Sequence, residues 1–227
     1  ALKDARVGEG GGVASYHIEE DDLKQLSFYN YHGRSYTHLC LSPDQKYLFT
    51  ANYHVGATAA FPLKDHKIGE KLSVVHHHGS GIDLLKRQTS PHAHYVGITP
   101  DQKYLYSIDL GADKIVMYDF KDGKLEETSL SQAVNPGSGP RHMIFSHDGK
   151  YCYLVNEISN SIMVYQYHDG HFTLVQVIHC VPRHFHGFSS AAAIHMTSSG
   201  KHIIVSNRGH DSIVLYLSLI HISEPTR

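Results

Sequence analysis

Gly137-Ser-Gly-Pro-Arg-His-Met-Ile-Phe-Ser-His-Asp-Gly-Lys-Tyr-Cys-Tyr-Leu-Val-Asn-Glu157 is the stretch from which the fold can be read. Apolar residues flank an Asp148-Gly149 turn, the pattern of two short antiparallel strands joined by a tight hairpin. Arg141 and Glu157 stand at the open ends of that hairpin. The start of the first strand lies beside the end of the second, so both charges are expected at one edge of the sheet.

Outward from this stretch, the pattern repeats. Ser42 to Tyr53 matches Thr99 to Leu110, both match Ser146 to Glu157, and Thr197 to Arg208 follows more weakly. These starts lie 57, 47 and 51 residues apart, a period of propeller blades. Third strands are expected at Ala57 to Phe61, Lys114 to Tyr118, Ser161 to Tyr165 and Ser212 to Tyr216. Turns at Asp65 to Lys67, Asp122-Gly123 and Asp169-Gly170 lead to a fourth. Gly12 to Ile18 and Leu23 to Phe28 read as the third and fourth strands of an earlier blade. The expectation is an all-β propeller of four-stranded blades, of which residues 1–216 supply about four to five, with exposed sheet edges and weak independent stability. Leu217 to Arg227 has no counterpart in the repeats and reads as a non-native tail, in the manner of a translated sequencing adapter.

Composition narrows the function. Twenty Lys plus Arg stand against 22 Asp plus Glu in 227 residues, a balance that argues against nucleic-acid and membrane-surface partners. With no spanning apolar run and no signal-peptide layout, a soluble cytoplasmic protein is expected. Cys40, Cys152 and Cys180 are too few and too scattered for a disulfide framework and are expected to be buried thiols.

Chemistry is sought where the repeats disagree. Thr37, His94, Arg141 and Ala192 are equivalent at the start of the first strand, and Tyr53, Leu110, Glu157 and Arg208 at the end of the second. The first strand of a blade lines the central channel, so His94, Arg141, Glu157 and Arg208 are expected to converge at one mouth. The competing reading makes Glu157 and Arg208 a structural ion pair between blades. Twenty-one histidines invite a metal reading, with His92 and His94 on one side of a strand and His76 to His78 and His184 to His186 as further donors. No zinc-type spacing with a carboxylate accompanies them, so no metal or cofactor is expected, and His76 to His78 reads as a solvated loop.

Pro91-His-Ala-His94, Gly139-Pro-Arg-His142, Val155-Asn-Glu157 and Ser206-Asn-Arg-Gly-His-Asp-Ser212, each attached to a repeat hairpin, resemble the seven-bladed lactonase family, which includes propeller-type 6-phosphogluconolactonases and carboxy-cis,cis-muconate cyclases. The resemblance covers Gly10 to Tyr216. It implies His94, Arg141, Glu157 and Arg208 as the catalytic cluster, the four that the repeat comparison selects. His92, His142, Asn156 and Asn207 beside them, and Arg87 and His210 in loops, are the candidates for substrate binding. The implied reaction is hydrolysis of 6-phospho-D-glucono-1,5-lactone, or a related sugar lactone, to the open-chain acid of the pentose phosphate pathway. The implied partner is a small anionic lactone. Glu157 or His94 would take a proton from water, and Arg141 and Arg208 would hold the oxyanion or an anionic group. Muconate-type cyclisation and a non-catalytic scaffold are the alternatives.

Overall fold

The computed structural model describes residues 2–4, 10–32, 35–83 and 86–218. Five antiparallel sheets follow one another along the chain, and no helix occurs among the described residues. The first sheet holds β1 (Leu2–Asp4), β2 (Gly10–Ile18) and β3 (Leu23–His32). The second holds β4 (His38–Leu41), β5 (Tyr47–Asn52) and β6 (Ala57–Lys64), with β7 (Lys67–Ile68) and β8 (Ser73–His76) both along β6. The third holds β9 (Ala93–Ile98), β10 (Leu105–Asp109) and β11 (Lys114–Lys121), with β12 (Lys124–Glu127) and β13 (Gln132–Ala133) both along β11. The fourth is β14 (Pro140–Phe145), β15 (Tyr151–Asn156), β16 (Ser161–His168) and β17 (His171–His179). The fifth is β18 (Ser190–Met196), β19 (His202–Arg208) and β20 (Ser212–Leu217). The sheets are propeller blades: β4, β9, β14 and β18 pack in succession as the inner strands.

Third strands begin at the residues the repeats indicate: Ala57, Lys114, Ser161 and Ser212. The turns behind them also follow the sequence, because Asp122 and Gly123 (φ 49° and 83°) and Asp169 and Gly170 (φ 47° and 83°) take the paired left-handed geometry of a two-residue hairpin. Two details differ. Asp148-Gly149 is not a two-residue turn. Ser146 N bonds Tyr151 O, and the Ser146 hydroxyl donates to Asp148 Oδ1 at 2.6 Å, closing a longer loop. The last strand reaches Leu217, and Ser218 is buried with its N–H on Lys201 O, so the blade extends into the run read as a tail. Residues 219–227 lie outside the described residues.

The core lies between blades. Cys152 and Leu154 of β15 face Tyr106, Ile108 and Met117 of the third blade, whereas Tyr153 and Val155 face Ala191, Ile203 and Val205 of the fifth. The second strands of blades two, three and four, β5, β10 and β15, are therefore buried on both faces, which is why their sequence is largely apolar. A polar lock joins the second and third blades. His77 is buried, its Nδ1 2.6 Å from Asp109 Oδ2 and its Nε2 against the hydroxyls of Tyr118 and Thr58. The reading of His76 to His78 as a solvated loop fails at His77, whose ring spans two blades.

Leu154→Ala is expected to cost about 2–5 kcal/mol of unfolding free energy, because it opens a cavity in a two-sided core. Leu215→Ala, on a strand face where Leu215 is 60% exposed, is expected to stay within about 0.5 kcal/mol. Equal urea midpoints for the two variants would show that the inter-blade core does not carry the fold.

Candidate active site

Bulges in the inner strands aim the site. In β9, Ala93 pairs with Asp109 and Tyr95 with Ile108, leaving His94 as an extra residue. In β14, Arg141 is the odd residue between Pro140, opposite Asn156, and His142, opposite Val155. In β18 the register breaks between Ala191 and Ile194. A bulge bends the strand and re-aims its side chain, so blades three, four and five each turn the equivalent position out of the ladder at one end of the inner strands. The second blade has no such break in β4. There the Thr37 hydroxyl instead reaches Ala51 O and Ala93 O, each at 3.1 Å. The loop that delivers Arg141 is held by Asp113, whose carboxylate accepts from Gly137 N and Gly139 N at 2.7 and 2.8 Å. Gly139 sits at φ 58°, and a Cβ there would strike Ile158, so that path demands glycine.

At this end one carboxylate gathers three guanidinium groups. Glu157, its side chain 4% exposed, receives Arg87 Nη2 on Oε1 at 2.8 Å. On Oε2 it receives Arg141 Nε at 2.8 Å and Arg208 Nη2 at 2.9 Å. Burial alone would raise the Glu157 pKa, but the charges of Arg87, Arg208 and Arg141 outweigh it and hold the carboxylate below its usual range. Arg141 is the fixed member, its Nη1 also bonding Ala192 O at 2.8 Å and His142 Nε2 at 3.2 Å. Arg208 bonds the Ser190 hydroxyl at 2.6 Å, and Arg87 bonds the Tyr53 hydroxyl at 3.2 Å. Arg87 and Arg208 are 42% and 51% exposed, against 17% for Arg141, so their free edges meet solvent.

Three imidazoles line the inner strands beside this cluster. His94 and His142 meet edge to face with centroids 5.1 Å apart, and His38 stacks on Tyr95 at 3.8 Å with His142 5.9 Å away. Burial, and then the Arg141 charge, push the pKa of His94 down to about 3 and that of His142 to about 2. Burial likewise lowers His38 to about 4. All three rings are neutral at ordinary pH. The Nδ1 of His94 is buried and has no hydrogen-bond partner among the described residues. Among the described residues no cluster of three or more His, Cys, Asp or Glu could hold a metal ion.

The structure thus brings together His94, Arg141, Glu157 and Arg208, and adds Arg87 and His142 from the substrate-binding candidates. His92 backs the site: its ring lies flat on Tyr53 at 4.2 Å, its Nδ1 is 2.9 Å from Tyr53 O, and its N–H donates to Asp109 Oδ1. His210 is tied to the Ser212 hydroxyl at 2.6 Å and packs on Phe185. Asn156 and Asn207 are buried inside their blades, with amides donating to Ser161 and Leu154 in one case and to Cys180 O and Ser212 in the other. They hold blade backbone and are not brought to the mouth. Tyr53 and His38 escaped the sequence reading. Tyr53 stood in the comparison as the counterpart of Glu157, and only its lack of charge passed it over.

Residues 3–219 match the family described as Lactonase, 7-bladed beta-propeller. The chain is 38% identical over 212 residues to the 6-phosphogluconolactonase of Bacillus subtilis strain 168, covering 91% of this chain and 60% of that one. The crystal structure of a protein from Lactobacillus plantarum superposes with a TM-score of 0.87 at 30% identity, over 92% of this chain and 61% of the other. The structure of a Pseudomonas aeruginosa periplasmic gluconolactonase does so with a TM-score of 0.85 at 32% identity, over 93% of this chain and 61% of that one. The chain spans about 60% of the length of these relatives.

The three neutral histidines make stability depend on pH. Each has a folded pKa below its unfolded value of about 6.5, so between the two the unfolded chain binds more protons. Stability is therefore complete above about pH 6.5 and falls as the pH drops, by up to about 1.4 kcal/mol per pH unit per imidazole. Urea unfolding at pH 7.5, 6 and 5 measures this, and a flat profile would show that the rings are not held neutral.

Proposed function

The chain belongs to the seven-bladed β-propeller lactonase family, and from that premise we propose that the protein hydrolyses 6-phospho-D-glucono-1,5-lactone, or a closely related sugar lactone, in the pentose phosphate pathway. The observation that carries this reading is the juxtaposition of a neutral imidazole, His94, with three guanidinium groups on one buried carboxylate. Ester-type ring opening needs a base for water and fixed positive charge where the carbonyl oxygen turns into an oxyanion. Neither need calls for a cofactor.

In the proposed reaction His94 accepts a proton from water as the oxygen bonds to the lactone carbonyl carbon. Arg208 and Arg141 face the oxyanion, and Arg141 is the better placed to keep its position because three acceptor atoms fix it. The tetrahedral intermediate collapses by breaking the bond to the ring oxygen, which takes the proton from His94 and becomes the hydroxyl of the open-chain acid. Glu157 is not the base. Held ionised by three cations, it has little proton affinity, and its role is to orient the guanidinium groups. A cytoplasmic setting belongs to the same proposal, since a phosphorylated sugar does not cross a bilayer unaided; among the described residues no helix is long and apolar enough to span a membrane.

His94→Gln in the full-length protein is expected to lower kcat for opening the phosphorylated lactone by about 10²–10⁴-fold. Glu157→Gln is expected to lower both activity and stability, the latter by about 3–5 kcal/mol as for a broken buried pair. Cyclisation of carboxymuconate is assayed in parallel. Lactone opening that survives His94→Gln within twofold, or cyclisation as the faster reaction, would overturn the assignment.

A further inference from the structure

We infer that Arg87, held by Tyr53, is a subsite for an anionic group of the substrate remote from the reacting carbonyl, a phosphate monoester being the chemistry that fits; this deepens the lactone reading above and rests on it. The two oxygens of Glu157 divide the cluster. Oε2 takes Arg141 and Arg208, which are anchored to Ala192 O and Ser190 of the fifth blade. Oε1 takes Arg87, which is anchored to Tyr53 at the end of the second blade's hairpin. Arg87 thus approaches from the opposite flank, carried by the connection into the third blade rather than by a bulged inner strand.

The charges leave Arg87 something to do. Three guanidinium groups share one carboxylate, so two positive charges remain, and the imidazoles of His38, His94 and His142 add none. An oxyanion consumes one of the two for the duration of the reaction. The other suits an anion that the substrate carries permanently. Tyr53 serves this arrangement because a phenol orients Arg87 by accepting its N–H without cancelling its charge. The accepting hydroxyl keeps its own proton free to donate to a phosphate oxygen. Tyr53 is itself held firmly, stacked on His92 with the rings 5° from parallel, and His92 is pinned by Asp109. A guanidinium with an exposed edge on such a mount offers the planar fork that phosphate accepts.

The relatives make the distinction concrete, since one is named for a phosphorylated lactone and another for an unphosphorylated one. The test compares kcat/KM for 6-phosphoglucono-1,5-lactone and glucono-1,5-lactone in the full-length protein. Arg87→Met is expected to reduce the preference for the phosphorylated substrate by about 10–100-fold. Tyr53→Phe is expected to reduce it by a smaller factor, and Arg87→Lys to recover part of it. Arg208→Met, close to the carbonyl, lowers both activities alike. Inorganic phosphate as a competitive inhibitor should show a rise in its inhibition constant for Arg87→Met that tracks the lost preference. An unchanged preference and an unchanged phosphate constant would overturn the subsite while leaving the lactone reading intact. A wild-type protein that opens neither lactone would overturn both. Should Arg87→Met lose its fold, Tyr53→Phe and Arg87→Lys decide on the same ratio.

Discussion

A carboxylate buried at the end of a β-strand has to be compensated, and at Glu157 the compensation comes from three directions. Stripping such a group of water costs several kcal/mol. Its acceptance here depends on Arg141 from its own hairpin, Arg208 from the next blade and Arg87 from the connection two blades back. The cation from its own hairpin arrives on an unusual backbone. Arg141 needs a bulge and a left-handed glycine before it. Its outer nitrogen needs Ala192 O, a carbonyl that a second bulge in β18 releases from the ladder. The departures from regular sheet are thus concentrated where one ion must be satisfied, and the regular blades around them hold those departures in place.

A second chain of contacts reaches the same ion from the interior. Asp109 divides its carboxylate between His77, which locks the second blade to the third, and the N–H of His92. His92 carries Tyr53, Tyr53 carries Arg87, and Arg87 ends on Glu157. Every link is a stacked ring pair or a hydrogen bond of at most 3.2 Å. The buried lock therefore does more than add stability. It fixes the flank of the site that loops would otherwise leave loose, which matters because a misplacement of even 1 Å can be costly to catalysis.

The fold was legible because each hairpin carries its own turn chemistry and its own apolar run, so local sequence and global architecture agree. His94, Arg141, Glu157 and Arg208 were legible for the opposite reason: they break a pattern that the other blades keep. Arg87 was only half legible. It lies in the longest inter-repeat connection, which has no counterpart against which a departure could be seen, and its partner Tyr53 carries no charge. His77 was misread because nothing in three consecutive histidines signals that Asp109, 32 residues away, will bury the middle one. Asn156 and Asn207 were over-read. As neighbours of Glu157 and Arg208 they fall on the other side of the strand by simple alternation, into the blade interior where their amides bond backbone.

The electrostatics also give the proposed reaction an internal logic. With no substrate present, burial and Arg141 hold His94 near pKa 3, which keeps the ring neutral but makes it a weak acceptor of protons. The same charge that suits an oxyanion therefore opposes the base. In the proposed reaction the oxyanion eases the conflict as it forms, because its charge beside Arg141 and Arg208 offsets the part of the depression of His94 that the Arg141 charge causes and raises the proton affinity of the ring at the moment it is needed. Glu157 cannot make that adjustment itself, since its negative charge is already committed to holding the arginines. On this proposal the base gains strength as the oxyanion develops, and water meeting the empty site finds an imidazole of low proton affinity.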